Sequence, residues 1–306
     1  RKTKNKFIAF DGGYHGDTAG SMSIGQGSPF WTSFQPLLFS IELAPFPSTF
    51  EMDDKVHEKE KESLDCLRRI LETETDSVAA ICIEPLIQGA GGMRFCRSEF
   101  LGELRKLADE FDVLLIFDEV MTGFGRTGEW FASNKSTVQP DIICLSKGIT
   151  GGFLPLSVTG CSSKIYDAFL SKGHDKTFFH GHSYTANPLA CTAGNASFNS
   201  LRRNSKVFSL MEKRHRKFAQ TYLGECKSIK NQRFCGTIFA AEIFTAESDG
   251  YFNTVAASMK KDFINRGFLI RPLGNTVYLM PPYCISDECL SGAYETIASV
   301  CANLRS

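Results

Sequence analysis

What most constrains this chain is an alternation of two patterns. Short apolar runs of strand length, at residues 7–10, 78–83, 113–117, 142–145 and 156–159, are separated by longer stretches. Two of those stretches, residues 55–74 and 98–111, carry helical apolar spacing and charged faces. Runs of the first kind joined by helices of the second give βαβ units, because parallel neighbours need a long crossover. The pattern therefore predicts an α/β fold, a mostly parallel sheet with helices on both faces. From about Ser205 the character changes to a charged amphipathic helix at 206–223, a strand near 237–243, a helix near 254–266 and a Pro-rich stretch at 271–282. The expectation is a large α/β unit over residues 1–204 and a smaller C-terminal α+β unit over 205–306.

Bulk properties narrow the function. A chain of 306 residues has room for a large core and about two domains. Lys and Arg together number 34, as do Asp and Glu, so nothing in the charge points to nucleic acid or another polyanion. The basic start, Arg1, Lys2, Lys4 and Lys6, reads as a solvated lead-in to the first strand. No apolar run reaches the ~18–20 residues of a membrane span, and no charged-then-apolar signal segment opens the chain. A soluble, cytoplasmic protein is expected. The 11 cysteines are odd in number, form no CxxC pair and include Cys82 and Cys144 inside apolar runs. They read as small buried hydrophobes in a reducing compartment, without disulfides or zinc. His15, His180 and His182 lack the spacing and the fourth ligand of a metal site, so no metal is expected.

Asp118 and Lys147 carry the strongest chemical signal. Asp118 closes one apolar run, and Lys147 follows the next, so both fall at the carboxyl ends of neighbouring strands, where open α/β sheets bind ligands. A lysine there can condense with an aldehyde; a carboxylate there can keep a pyridine nitrogen protonated, so that the ring accepts electrons. Taken singly, each could equally be a surface lysine or a helix-capping aspartate.

Their surroundings decide between these readings. Asp118-Glu119-Val120-Met121-Thr122-Gly123-Phe124-Gly125-Arg126-Thr127-Gly128, then Pro140-Asp141-Ile142, then Ser146-Lys147-Gly148-Ile149-Thr150-Gly151-Gly152, closely resemble the signature of the class III (omega) aminotransferases. Further segments resemble the biotin-pathway branch of that family: Gly13-Tyr14-His15-Gly16-Asp17-Thr18, Glu84 to Met93, His180-Gly181-His182-Ser183-Tyr184, Asn187-Pro188, and Arg271-Pro272-Leu273-Gly274 through Met280-Pro281-Pro282. The resemblance implies a pyridoxal 5'-phosphate (PLP) dependent transferase of fold type I. It implies a Schiff base on Lys147, with Asp118 on the pyridine nitrogen. It further implies transamination of 8-amino-7-oxononanoate to 7,8-diaminononanoate, with S-adenosylmethionine or lysine as donor; the residues do not choose between the two.

The same resemblance assigns supporting roles. Tyr14 packs on the cofactor ring, as an aromatic face can, and His15 beside it belongs to the cofactor site. Asp17 is a substrate-side feature of the biotin branch, or else a turn or cap aspartate. Glu84 and Gln88 lie near the phenolic oxygen and the substrate carbonyl. Ser183 matches a position, commonly threonine, that reaches across a homodimer to the partner's cofactor phosphate, with His182 a neighbour of that phosphate and Gly181 on the substrate side. Arg271 takes the substrate carboxylate with its bidentate fork.

Two points stand against a simple transfer. Gly123 to Gly128 satisfies GxGxxG, a dinucleotide fingerprint, yet Asp118-Glu119 put negative charge where a pyrophosphate would lie, and Glu129-Trp130-Phe131 follow instead of a helix of small residues. The glycines fit a tight loop beside the cofactor better. Family members also carry roughly a hundred more residues ahead of this point, including a Gly/Ser-rich turn that cradles the phosphate. No such turn precedes Tyr14. The expectation is a chain lacking the family's N-terminal portion, with its activity in isolation open. The competing readings are an ornithine or 4-aminobutyrate type of class III enzyme, and a silent fragment acting only through dimer contacts.

Overall fold

The apolar runs assemble edge to edge. A computed structural model describes residues 4–28 and 30–304. Its first half contains strands β1 (Lys6–Phe10), β2 (Glu42–Ala44), β3 (Val78–Ile83), β4 (Ile87–Gln88), β5 (Arg94–Phe95), β6 (Leu114–Asp118), β7 (Ile142–Leu145) and β8 (Val158–Cys161). All but β4 and β5, which form a small hairpin, make one six-stranded sheet in the order β2-β1-β3-β6-β7-β8. Pairings from β2 through β7 are parallel, and β8 alone runs antiparallel to β7. The last strand lies two residues later than its apolar run suggested. Its direction follows from its connection, which folds back through a 3-10 turn at Lys147–Thr150 instead of crossing over through a helix.

Helices α1 (Ala19–Ile24), α2 (Val56–Glu74), α3 (Ser98–Glu110), α4 (Ala132–Ser136), α5 (Ser163–Ala168) and α6 (Pro188–Asn204) accompany this sheet. α3 shows why the helices dock where they do. It buries Phe100, Leu101, Leu104, Leu107 and Ala108, one stripe at helical spacing. Those side chains join Leu67 and Leu71 of α2 and the strand residues Ile8, Phe10, Ile81, Ile83, Leu115 and Phe117 in a single core. Phe10 is wedged edge-on between Phe46 and Phe100, at 6.1 and 6.0 Å.

The rest of the chain forms α7 (Lys206–Leu223), β9 (Ile229–Cys235), β10 (Ile238–Ile243), α8 (Val255–Asn265), β11 (Thr276–Leu279) and α9 (Asp287–Asn303). Its antiparallel sheet has the order β11-β10-β9. β10 serves both cores through its period-two alternation. Ile238 and Ala240 belong to the first core, while Phe239, Ala241 and Ile243 join Phe218, Met259, Phe263, Tyr294 and Ile297 in a second. Among the described residues no helix is long and apolar enough to cross a membrane. The cysteines are all free, but Cys161, Cys284 and Cys289 are exposed, so burial does not hold for every one of them.

Candidate active site

Parallel strands that share a sheet deliver the loops after them to one edge. Here β1, β3, β6 and β7 are successive parallel neighbours, so Tyr14 and His15, Glu84, Asp118 and Lys147 all emerge along the same carboxyl edge. In the register of β6 with β7, Asp118 faces Cys144, and Lys147 comes three residues further on.

Side chains tie these loops together. His15 Nδ1 lies 2.7 Å from Asp118 Oδ2, with the two side chains only 6% and 10% exposed. The other oxygen of Asp118 accepts the Val120 N–H at 3.1 Å. Glu84 is buried, and its two oxygens accept from Tyr14 N and Gly89 N, each at 3.0 Å, so one carboxylate fastens the loop after β1 to the loop after β3. Burial pushes the Glu84 carboxyl up, and the charge of His15 and the two N–H donors only partly offset this. For His15 burial acts downward, but the Asp118 hydrogen bond and the charges of Glu84 and Asp118 outweigh it, and the imidazole ends above its ordinary value. The edge is thus a polar cluster in which an imidazole holds its proton firmly against a carboxylate.

Lys147 sits in a different setting. It opens the 3-10 turn with φ +42, left-handed backbone that a lysine seldom adopts. The turn is pinned by Ser146 Oγ on Leu156 O at 2.8 Å, Thr150 Oγ1 on Leu154 O at 2.6 Å, and Ser197 Oγ of α6 on Gly148 O at 3.2 Å. The lysine is exposed and lines a cavity of about 1530 Å³ with Met121, Phe124, Arg126, Phe208 and Tyr283. Among the described residues its amine has no hydrogen-bond or ion-pair partner.

The remaining sequence-derived candidates fall in several places. The Tyr14 hydroxyl donates to Asp17 Oδ1 at 3.0 Å, and its ring meets Phe30 edge-on at 5.4 Å. Asp17 is not the cap of α1; Thr18 is, with Oγ1 accepting Ser21 N. Gln88 is 1% exposed, and its amide is committed to the loop after β1: Nε2 donates to Asp11 O at 3.0 Å while Oε1 accepts from Arg94 at 3.1 Å. Gly181, His182 and Ser183 lie in an exposed stretch leading into α6, with His182 Nδ1 accepting Tyr184 N. Arg271 is exposed, near enough to Tyr278 for its charge to act on the phenol. Tyr14, His15, Glu84 and Asp118 therefore meet directly. Gly181, His182, Ser183 and Arg271 do not touch that cluster.

Some structurally decisive groups escaped sequence reasoning. Arg94 donates to Asp11 O, to the Asp11 carboxylate and to Phe46 O, bracing the turn that precedes Tyr14. Glu119 is fully buried and accepts from Ala132 N at 2.6 Å and Ser133 N at 2.9 Å, doing for α4 what its own cap residue Phe131 cannot. Burial raises the Glu119 carboxyl, and these donors pull it partly back. The GxGxxG segment is followed by no long helix. It is a loop in which Gly125 is held under the ring of Phe208.

An available amine, a carboxylate backed by an imidazole, and a tyrosine along one sheet edge suit a pyridine aldehyde. Comparison with known proteins agrees: the family described as "Aminotransferase class-III" matches residues 1–301. The chain belongs to the class III aminotransferases. PLP is the cofactor of that family, and the sheet and helix arrangement is that of its fold type I. Among its curated members, the adenosylmethionine-8-amino-7-oxononanoate aminotransferase of Synechococcus elongatus is 45% identical over 297 residues, covering 97% of this chain and 69% of that protein. The Geobacter sulfurreducens protein of the same name is 38% identical over 295 residues, 93% of this chain and 65% of that one. The solved structure of the Methanocaldococcus jannaschii protein of that name superposes with TM-score 0.87 at 31% identity, covering 99% of this chain and 69% of that chain. An amine transaminase from an uncultivated Pseudomonas species, solved PLP-bound, gives 0.86 at 26% identity over 97% of this chain and 69% of that one. The chain thus spans about two thirds of the length of such class III relatives.

Proposed function

We propose that this class III aminotransferase chain carries the lysine and the ring-nitrogen carboxylate of an enzyme that aminates 8-amino-7-oxononanoate to 7,8-diaminononanoate in biotin biosynthesis, using S-adenosylmethionine or lysine as donor. The observation that carries the reading is Lys147, an unpartnered amine three residues past the register partner of the histidine-backed Asp118. The names of the relatives supply the substrate.

PLP, when bound, supplies an aldehyde for an amine and a ring that accepts electrons. Lys147 would hold it through its amine, and that amine would be the base that moves a proton to and from the substrate carbon. Asp118 would hold a proton at the ring nitrogen, and His15 behind it keeps the carboxylate oriented. Tyr14 covers the ring, and Glu84 fixes the Tyr14 backbone. Gln88 acts on the phenolic side through the loop it braces. Arg271 binds the substrate carboxylate as a bidentate fork, with Asp17 and Gly181 lining the substrate path. Ser183 and His182 serve the phosphate held by a second copy of the chain. A homodimer is supported by apolar residues that stand exposed, Phe153, Phe178, Phe179, Tyr184 and Leu189. Free cysteines fit a reducing, cytoplasmic location.

A visible absorbance titration with PLP, borohydride reduction and peptide mapping tests the assignment, followed by product analysis with both donors. Label on Lys147, lost in Lys147→Ala together with diamine formation, is the expected outcome. Label on another lysine, or turnover unchanged in Lys147→Ala, would overturn it.

A further inference from the structure

The segment after β11 reaches the loop beside the Lys147 turn with the hydroxyl of Tyr283. Tyr283 follows Pro281 and Pro282 just beyond β11 and donates its phenolic proton to the carbonyl of Phe124 at 2.6 Å. Phe124 has φ +59, a left-handed backbone that bulky side chains rarely take unless something holds it there. Its side chain packs on Gly148 so closely that a methyl on that glycine would come within 2.9 Å of Phe124 Cβ. Gly148 directly follows Lys147, itself left-handed at φ +42. Two strained backbones therefore abut beside the candidate amine. Tyr283 is itself fixed: the Arg126 guanidinium lies 4.8 Å over its ring and donates to Pro281 O at 2.8 Å, and the ring of Phe208 packs on it at 5.3 Å. Lys147, Phe124, Phe208 and Tyr283 all border the same cavity.

We propose that Tyr283 is a positioning residue for Lys147: its hydrogen bond pins Phe124 against Gly148 and so fixes the turn that presents the lysine amine to the cavity. The role given to Lys147 rests on the function proposed above; the mechanical link does not. Tyr283→Phe keeps the ring, its contact with Phe208 and the Arg126 stack, and deletes only the bond to Phe124. Tyr222→Phe deletes a comparable hydroxyl bond, to Ser291 at 2.7 Å, far from the turn and serves as the control.

The first readout is amide hydrogen exchange in the chain without cofactor. The N–H groups of Ile149 and Gly151, bonded to Ser146 O and Gly148 O, report on the turn directly. A neutral hydrogen bond is worth enough to change a local opening equilibrium by roughly 2- to 10-fold, so Tyr283→Phe should speed exchange at 146–151 by about that factor, and Tyr222→Phe should not. The second readout is the concentration of PLP that half-saturates borohydride trapping on Lys147, expected to rise by a similar factor in Tyr283→Phe alone. Faster exchange confined to residues 280–285, or equal behaviour of the two variants at 146–151, overturns the proposal. If the parent chain captures no PLP on Lys147, the functional reading fails while the exchange comparison still decides the link.

Discussion

Replacing His15 by Phe removes one partner of a buried pair and keeps most of the ring volume, so the loss reports on the Asp118 contact more than on a cavity. The two side chains are 6% and 10% exposed and 2.7 Å apart, which puts the change in the class that costs about 3–5 kcal/mol, because a buried carboxylate is left without its counter-charge. The cost should depend on pH. The imidazole sits above its ordinary value because the Asp118 bond and the charges of Glu84 and Asp118 outweigh burial. A histidine whose folded pKa exceeds its unfolded value of about 6.5 adds stability that is complete below about pH 6.5 and is lost as the pH climbs through the folded value. Above that, a neutral imidazole still donates to the carboxylate, a bond worth about 1.5–3 kcal/mol. With roughly 2 °C of Tm per kcal/mol in a chain of this size, His15→Phe should melt roughly 6–10 °C below the parent at pH 6, and the gap should narrow toward roughly 3–6 °C once the pH has climbed past the folded value. Thermal unfolding followed by circular dichroism across that range is the assay. A difference that does not vary with pH, or a loss under about 1 °C at pH 6, would refute the account.

His215 should shape the acid limb of stability. It is fully buried, with Nε2 3.1 Å from Thr237 O and Nδ1 2.8 Å from the Tyr294 hydroxyl, contacts that a neutral ring satisfies by donating to the carbonyl and accepting from the phenol. Burial, aided by the charge of Arg214 and opposed by the Thr237 bond, pulls its pKa down to about 4. The stability it adds is therefore complete above about pH 6.5 and is lost as the pH falls through the folded value, roughly 3 kcal/mol in all. Urea midpoints at pH 7, 5.5 and 4 should converge between the parent and His215→Leu; parallel curves would exclude this. Gly236→Ala and Gly102→Ala form an opposed pair. The first, at φ +56, would drive a methyl into the backbone of Arg126, Thr127 and Gly128 and cost about 3 kcal/mol. The second adds a methyl in open space inside α3 and should gain up to about 1 kcal/mol; equal effects in urea titration would contradict the packing described.

The parallel strands β1, β3, β6 and β7 were legible because each is a compact apolar run that needs no knowledge of its neighbours; β2, three residues opening on Glu42, was not. β9 was not: Ile229–Cys235 mixes Lys230, Asn231, Gln232 and Arg233 into its length, and Arg233 is buried only because Glu242 and the carbonyls of Gly92 and Met93 receive it. β11 hid in a Pro-rich stretch, although Thr276–Leu279 itself holds no proline. α9 did leave a signal, a Ser286 cap followed by Asp287 and Glu288 in the first turn. At the site, strand ends located Asp118 and Lys147, but the His15 contact with Asp118 spans 103 residues and follows no local period. Glu119 and Arg94 were opaque for the same reason. Their partners, backbone atoms of Ala132, Ser133, Asp11 and Phe46 together with the side chains of Asp11, Ser48 and Gln88, are brought near by the fold, and sequence spacing does not encode them.

Backbone strain is stored at the functional edge, although Ser48, Met52, Met93, Ala186 and Asn231 are left-handed elsewhere without ending a helix. Asp112 and Thr137 also have positive φ, but they lie just past α3 and at the end of α4, where a left-handed residue is the ordinary way to close a helix. Leu86, Phe124 and Lys147 close no long helix: they follow β3, β6 and β7 in the loops at the carboxyl edge. Each carries a cost of about 1–3 kcal/mol that helix termination does not explain. Each is also over-determined by groups from elsewhere in the chain. Leu86 is buried and its carbonyl accepts Cys96 N; Phe124 is held by Tyr283; and the Lys147 turn is held by Ser197. A strained loop survives only when the surrounding fold pins it, so the rigid core behind β3, β6 and β7 is what lets this edge hold an unpaired lysine and a buried carboxylate in fixed relation.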